Sequence, residues 1–394
     1  MICPICKSSN TEIFLDYGQY PYFTVPVDKK DKKKILTKYS EDQLFSDLKY
    51  EACKDCGHVS ILNIPDQETM DDLYSNFYSY PSPMKDEFEP TRDRDFINYF
   101  KRFIDPITKE NNLSKLLEIG CFDGFVLQNL SQINYDVIGC DPSDGADIGK
   151  DFGINILKEF FEPKLFINNN ITFDIVLSRH LIEHMVEPEN FLSNIRSILN
   201  PNGMLIIETP NVHQYMRDGR LGVFSLQHIT LFSASSLKIL LGKCGFKKMK
   251  FIDQGDNLII IATKGWESSI DSFEGYAKVI QSFHNLVKNN KKKIYNKIEA
   301  YLNKNKTICI WGAGGAGIAA LTLYGIPGNE ISYFIDSDKN KWGMEYFNYS
   351  IPIISPKKAA EINPDLLIIS SMYHKSIIDT AKEIGLNKKC IVLN

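Results

Sequence analysis

The stretch Lys115–Gly124, KLLEIGCFDG, constrains what this chain can fold into more than any other. Leu116, Leu117 and Ile119 form a short apolar run that reads as a buried strand. The run ends in Glu118-x-Gly120, a tight turn through Cys121 and Phe122, and then Asp123-Gly124. Glycine there lets the backbone pass close beneath a ligand that a Cβ would push away. The next strand, DVIGC, ends in Asp141, at the place where doubly wound sheets hold the hydroxyls of a ribose. The turn lacks G-x-x-x-x-G-K-[ST], and Glu118 at its mouth would repel a pyrophosphate. A carboxylate in that position suits a cation, so the pattern describes a nucleoside with a positively charged arm.

S-adenosylmethionine is such a ligand, and here the chain resembles the class I S-adenosylmethionine-dependent methyltransferases. Asp174 opens the strand FDIVLS, which runs into RHLIEHMVEPENFL, and NPNGMLIIETPN supplies a turn and a fifth strand ending at Glu208. Phe160 and Phe161, in LKEFFEP, fall where that family places an apolar clamp on the adenine ring. The resemblance implies a cofactor site built from Glu118, Gly120, Cys121, Asp123, Asp141, Phe160 and Phe161, with Ser178, Arg179 and His180 flanking the methyl group.

Length and composition set the frame. A chain of 394 residues suggests two or three domains, and 43% hydrophobic residues are ample for packed cores. A net charge of −4 argues against a polyanion-binding surface, so nucleic acid is not an expected partner. No apolar run of membrane-spanning length and no signal peptide are found, which leads to the expectation of a cytoplasmic protein without a membrane partner. The nine cysteines then read as reduced thiols. Cys3-Pro-Ile-Cys6 and Cys53-Lys-Asp-Cys56 form two C-x-x-C knuckles, the donor set of a tetrahedral structural Zn²⁺ site. Redox chemistry, the other use of C-x-x-C, needs a thioredoxin-like strand–helix context that is missing here.

These readings divide the chain into a zinc-binding module (1–70), a tyrosine-rich segment with a helical connector (71–110), a methyltransferase core (111–265), a helical linker (266–305) and a last domain (306–394). KKMKFID and DNLIIIAT read as an antiparallel pair that closes the core sheet. In the last domain KTICIWGAGGAGIAALTLYG gives a strand, the turn Gly312-x-Gly314-x-x-Gly317 and a helix, and the strand ISYFID ends in Asp336. That is a Rossmann-like unit, read either as a tight strand–helix turn or as an NAD site. The expected fold class is α/β: a doubly wound class I methyltransferase sheet, an amino-terminal zinc-binding module and a small carboxy-terminal Rossmann-like domain.

This order of modules is similar to that of the nucleotide-sugar methyltransferases, which include sugar C-methyltransferases. The resemblance implies a nucleotide-sugar substrate and a second nucleotide fold that holds it. It places Tyr78 and Tyr80, in YSYPS, on a lid over the active site, and matches His228, in SLQHITLFS, to a histidine preceded by glutamate in that family. Here Gln227 stands in place of the glutamate. Losing a carboxylate that could raise the basicity of His228 favours O-methylation of a sugar hydroxyl over C-methylation beside a ketone, which needs a stronger base. His180 competes with His228 for the base, and the two with a carboxylate offer a catalytic divalent metal site. His184 reads as a structural residue, on the same face as His180 if SRHLIEHM is helical. A nucleic-acid-modifying enzyme built on the zinc knuckle is the more distant reading, and oligomeric state is left open.

Overall fold

The computed structural model describes residues 2–77, 82–85, 91–265, 275–302, 304–371, 374–386 and 390–393. Tyr78 and Tyr80 of the expected lid lie outside the described residues.

Near the amino terminus β1 (Thr11–Pro21) and β2 (Phe45–Cys53) pair antiparallel, with Thr11 opposite Cys53. That register explains the long excursion between the two C-x-x-C pairs, because the hairpin returns the second knuckle to the first. The sulfurs of Cys3 and Cys56 lie 3.7 Å apart, and those of Cys6 and Cys53 lie 3.5 Å apart. β3 (Val59–Ile61) extends this sheet on the far edge of β2.

The core contains β4 (Lys115–Ile119), β5 (Asp136–Cys140), β6 (Ile156–Leu157), β7 (Phe173–Arg179) and β8 (Leu199–Pro210), all mutually parallel. The chain then leaves to add β9 (Thr230–Leu231) to the amino-terminal sheet beside β3, and returns as β10 (Phe246–Asp253) and β11 (Asn257–Lys264). The core order is β10-β11-β8-β7-β4-β5-β6, with β11 antiparallel to both neighbours. Parallel strands covered on both faces read as nearly unbroken apolar runs. Leu116 accordingly packs into one core, while Leu117 and Ile119 pack into the other. Strand order reverses between β4 and β7, so a crevice opens at their carboxyl ends, where open α/β sheets bind ligands.

A third sheet of β12 (Ile308–Trp311), β13 (Ile331–Ile335), β14 (Ile353–Ile354), β15 (Leu366–Ser370) and β16 (Cys390–Leu393) is parallel throughout, in the order β14-β13-β12-β15-β16. Gly312 has φ +124°, and a Cβ there would lie 2.1 Å from the Ser370 carbonyl oxygen, so only glycine fits. Asp336 accepts the Ala313 amide at 3.0 Å and pairs with Lys341 at 3.1 Å. The helix Ala277–Ile298 links this unit to the core, and the ring of His284 lies 3.0 Å from the Phe14 carbonyl oxygen. Among the described residues no helix is long and apolar enough to cross a membrane.

Candidate active site

The glycine turn after β4 is held open by backbone geometry. Gly120 and Gly124 have φ near +76° and +75°, where L side chains are strained, and a Cβ on Gly120 would meet Leu181 at 3.3 Å. Between them Phe122 also takes a left-handed conformation, φ +49°. Its amide donates to Asp141 Oδ2 at 2.8 Å. The other Asp141 oxygen accepts the amide and hydroxyl of Ser143, so this carboxylate links the ends of β4 and β5. Asp123 lines the crevice with both carboxylate oxygens already engaged. One of its oxygens accepts the Phe125 amide and the other accepts the Ser82 hydroxyl at 2.6 Å and the Met84 amide, which ties the segment after the expected lid to the turn. Cys121 is buried against Gly139, where a Cβ would lie 2.5 Å from its sulfur, and burial pushes its thiol pKa well up. It therefore presents backbone to the crevice.

Pro83, Asp93, Glu118, Gly120, Phe122, Arg179 and His180 are among the residues lining this cavity. Arg179, at the end of β7, is 8% exposed and stacks over Phe96 at 4.2 Å. It donates to Glu208 at 2.7 Å, pairs with Asp93 at 3.0 Å, and comes within 4.0 Å of Glu118. Burial raises the Glu208 pKa, but Arg179 and His180 outweigh it and hold the carboxyl below the ordinary range. Glu118 is the opposite case. Burial pushes its pKa from 4.5 to about 8, with Arg179 only partly opposing, and its Oε2 is buried without a hydrogen-bond partner. A buried carboxyl oxygen without a partner at an open pocket fits a cationic ligand, which is the charge of a sulfonium cofactor. Ser178 is 1% exposed, and its hydroxyl also has no partner.

The segment after β7 is not the helix that would put His180 and His184 on one face. His180 has φ +49°, its amide donates to the Glu208 carbonyl at 2.8 Å, and only a short turn, Ile182–His184, follows. His180 lines the cavity, with Nδ1 3.4 Å from Glu183 Oε1 and Nε2 3.8 Å from Glu208. Burial and Arg92 lower its pKa, yet contacts with Glu183 and Glu208 leave it raised overall. His228 lies with His184 instead, their rings 5.1 Å apart, and a Glu183 oxygen lies within 4.8 Å of a nitrogen of each, with His180 Nδ1 3.4 Å from Glu183. Burial, with His184 adjacent, lowers the His228 pKa to about 4.

Two expectations change here. The Gln227 side chain points toward the Tyr22 carbonyl at 3.5 Å, away from the histidines, while only its backbone oxygen meets His184. The carboxylate beside His228 is not missing but comes from Glu183, which sequence reading passed over because nothing local marks it as a partner of residue 228. The two phenylalanines also separate. Phe160 is 58% exposed, whereas Phe161 packs against Phe166 and Phe191.

Four sulfurs, from Cys3, Cys6, Cys53 and Cys56, converge within 4.8 Å of one another. Their closest separations approach the edge of about 3.8 Å expected of a tetrahedron with zinc–sulfur bonds near 2.3 Å, so the donor set fits zinc.

Residues 89–250 match the family described as a methyltransferase domain, and residues 263–392 match that described as a C-methyltransferase C-terminal domain. The chain is 22% identical over 311 residues to C-methyltransferase NovU of Streptomyces niveus, an alignment covering 73% of this chain and 74% of that protein. It is 26% identical over 121 residues to the ubiquinone biosynthesis O-methyltransferase of Rhizobium etli, covering 29% of this chain and about half, 48%, of that protein. A SAM dependent methyltransferase structure from Archaeoglobus fulgidus superposes on 44% of this chain and 94% of its own, with TM-score 0.36 and 18% identity. The two family matches and the NovU alignment make this a class I S-adenosylmethionine-dependent methyltransferase with a C-methyltransferase C-terminal domain.

Proposed function

We propose that this S-adenosylmethionine-dependent methyltransferase alkylates a carbon beside a ketone in a nucleotide-activated sugar, in the synthesis of polysaccharide or glycoconjugate precursors. The observation that carries the carbon assignment is the match of residues 263–392 to a C-methyltransferase C-terminal domain. NovU, whose name is that of a C-methyltransferase, aligns over 73% of the chain. The argument for O-methylation from Gln227 weakens because Glu183 supplies a carboxylate to the histidine cluster. The nucleotide sugar follows from the order of modules.

In this reading Glu118 faces the cationic arm of the cofactor, Gly120 passes beneath it, and Asp141 uses its remaining lone pairs on the ribose hydroxyls. The exposed ring of Phe160 is free to close on the adenine, and Arg179 lines the crevice with Ser178 buried before it on β7. When bound, S-adenosylmethionine supplies an electrophilic methyl group on a sulfonium. His180 takes the proton from the sugar carbon on Nε2, which lies 3.8 Å from Glu208 without a hydrogen bond, leaving the electron pair as an enolate on the ketone oxygen. Glu183, against the other ring nitrogen, holds the imidazole in place and stabilises the cation that forms. The Ser82–Asp123 bond anchors the described segment Ser82–Lys85 beside the pocket. Cys3, Cys6, Cys53 and Cys56 would hold a zinc ion with four thiolates, a set that would serve folding.

The test is product identity. Incubation with methyl-¹³C S-adenosylmethionine and a panel of UDP-, GDP- and dTDP-linked keto sugars should give a ¹³C methyl bonded to carbon. A ¹³C methoxy signal would overturn the assignment. His180→Gln should lower turnover by about 10²–10⁴ while leaving cofactor affinity near that of the parent.

A further inference from the structure

Beyond the zinc knuckle and the cofactor crevice, we infer that Glu183, His184 and His228 form a second metal site, for a borderline divalent ion such as Zn²⁺, Co²⁺ or Fe²⁺. One donor atom from each of the three lies within 4.8 Å of the other two. The histidines are prepared as ligands. His184 Nδ1 lies 2.7 Å from the Gln227 carbonyl oxygen, and His228 Nδ1 lies 2.6 Å from the Val223 carbonyl oxygen. A carbonyl only accepts, so each Nδ1 carries the proton and each Nε2 keeps its lone pair. Imidazoles that bind metals show this arrangement, with the second ring nitrogen donating to a backbone carbonyl that fixes tautomer and orientation. Glu183 is 1% exposed, with Oε2 accepting the Thr209 hydroxyl at 3.0 Å, which leaves lone pairs for an ion.

The fold holds this set together from distant segments. Thr230, on β9, donates to the Ile182 carbonyl and docks the turn bearing Glu183 and His184 against the strand that follows His228. Two imidazoles and one carboxylate suit borderline metals better than magnesium or calcium, which prefer all-oxygen sites. Three protein ligands also leave a coordination position free, as in sites that accept water or a substrate oxygen. The site differs from the His180–His228 pairing expected from sequence: His184 replaces His180, which stays at the cofactor crevice.

Cobalt separates the two metal sites by spectrum. The full chain, stripped with a chelator and titrated with Co²⁺, should take one equivalent showing thiolate-to-cobalt charge transfer and a second without it. The second should bring two exchangeable, hyperfine-shifted proton resonances from the Nδ1–H groups of His184 and His228. The double variant His184→Gln/His228→Gln should keep the thiolate band, which also reports its folding, and lose the second equivalent. Glu183→Gln should weaken that equivalent at least tenfold. Saturation at the thiolate site alone, absence of the two resonances in the parent protein, or a second equivalent that survives the double substitution would overturn the site. None of these readouts involves methyl transfer, so this site and the proposed reaction fail separately.

Discussion

Glu118→Gln probes the charge logic of the cofactor pocket. The Glu118 carboxyl is 2% exposed with pKa about 8 against an ordinary 4.5, a difference that puts about 5 kcal/mol on its ionised form at 1.36 kcal/mol per unit. At pH 7 most of the cofactor-free protein therefore carries a neutral Glu118. A cation brought beside it lowers the pKa by about two units, so binding expels a proton. Affinity for S-adenosylmethionine should then rise about fivefold between pH 7 and pH 8, and about 25-fold from pH 6 to pH 8. Calorimetry in two buffers of different ionisation enthalpy should find about 0.8 proton released at pH 7. Glu118→Gln should remove that release and flatten the profile. Stability runs the other way. The folded chain binds the extra proton between pH 4.5 and about 8, so stability falls as pH rises through that window. Without cofactor, the variant should melt above the parent at pH 9, with the gap narrowing below pH 8 and closing near pH 4.5. Equal proton release from parent and variant would refute the reasoning.

Three further outcomes follow from the same geometry. Arg179→Ala strands Glu208 and Asp93, and should cost about 3–5 kcal/mol in denaturant unfolding, whereas an exposed ion pair would cost under about 1. Phe160→Ala removes an exposed ring, so it should leave the melting temperature unchanged while weakening cofactor binding by about 0.5–1.5 kcal/mol; an unchanged Kd excludes the clamp. Cys53→Ser should abolish the tightly held zinc measured by elemental analysis and make the parent's resistance to chelators disappear; parent protein without zinc would count against the knuckle assignment.

The parts of this molecule legible in sequence are those encoded locally. KLLEIG places a buried strand directly before glycines whose positive φ is needed, and DVIGCD brings its acid to the neighbouring strand end, where Asp141 holds the Phe122 amide. The closing pair at KKMKFID and DNLIIIAT was legible for the same reason, since its two strands are joined by a short turn and pair with each other. What escaped the sequence depends on segments far apart in it. β9 leaves the core to join β3, and this places His228 beside His184 and Glu183. No spacing rule links residues 183 and 228. The absent helix after β7 is likewise a tertiary effect, because the left-handed His180 is fixed by its bond to the Glu208 carbonyl on the next strand. Phe160 and Phe161 are equivalent in sequence, and only the neighbours Phe166 and Phe191 decide which is buried.

Hydrogen exchange in deuterated water, with a nucleotide keto sugar and S-adenosylhomocysteine in place of the methyl donor, tests the carbon-alkylation account most directly. Deuterium should enter the sugar carbon next to the ketone at a rate that His180→Gln suppresses. Retention of the original hydrogen through full turnover with S-adenosylmethionine, with the methyl found on oxygen, would contradict it.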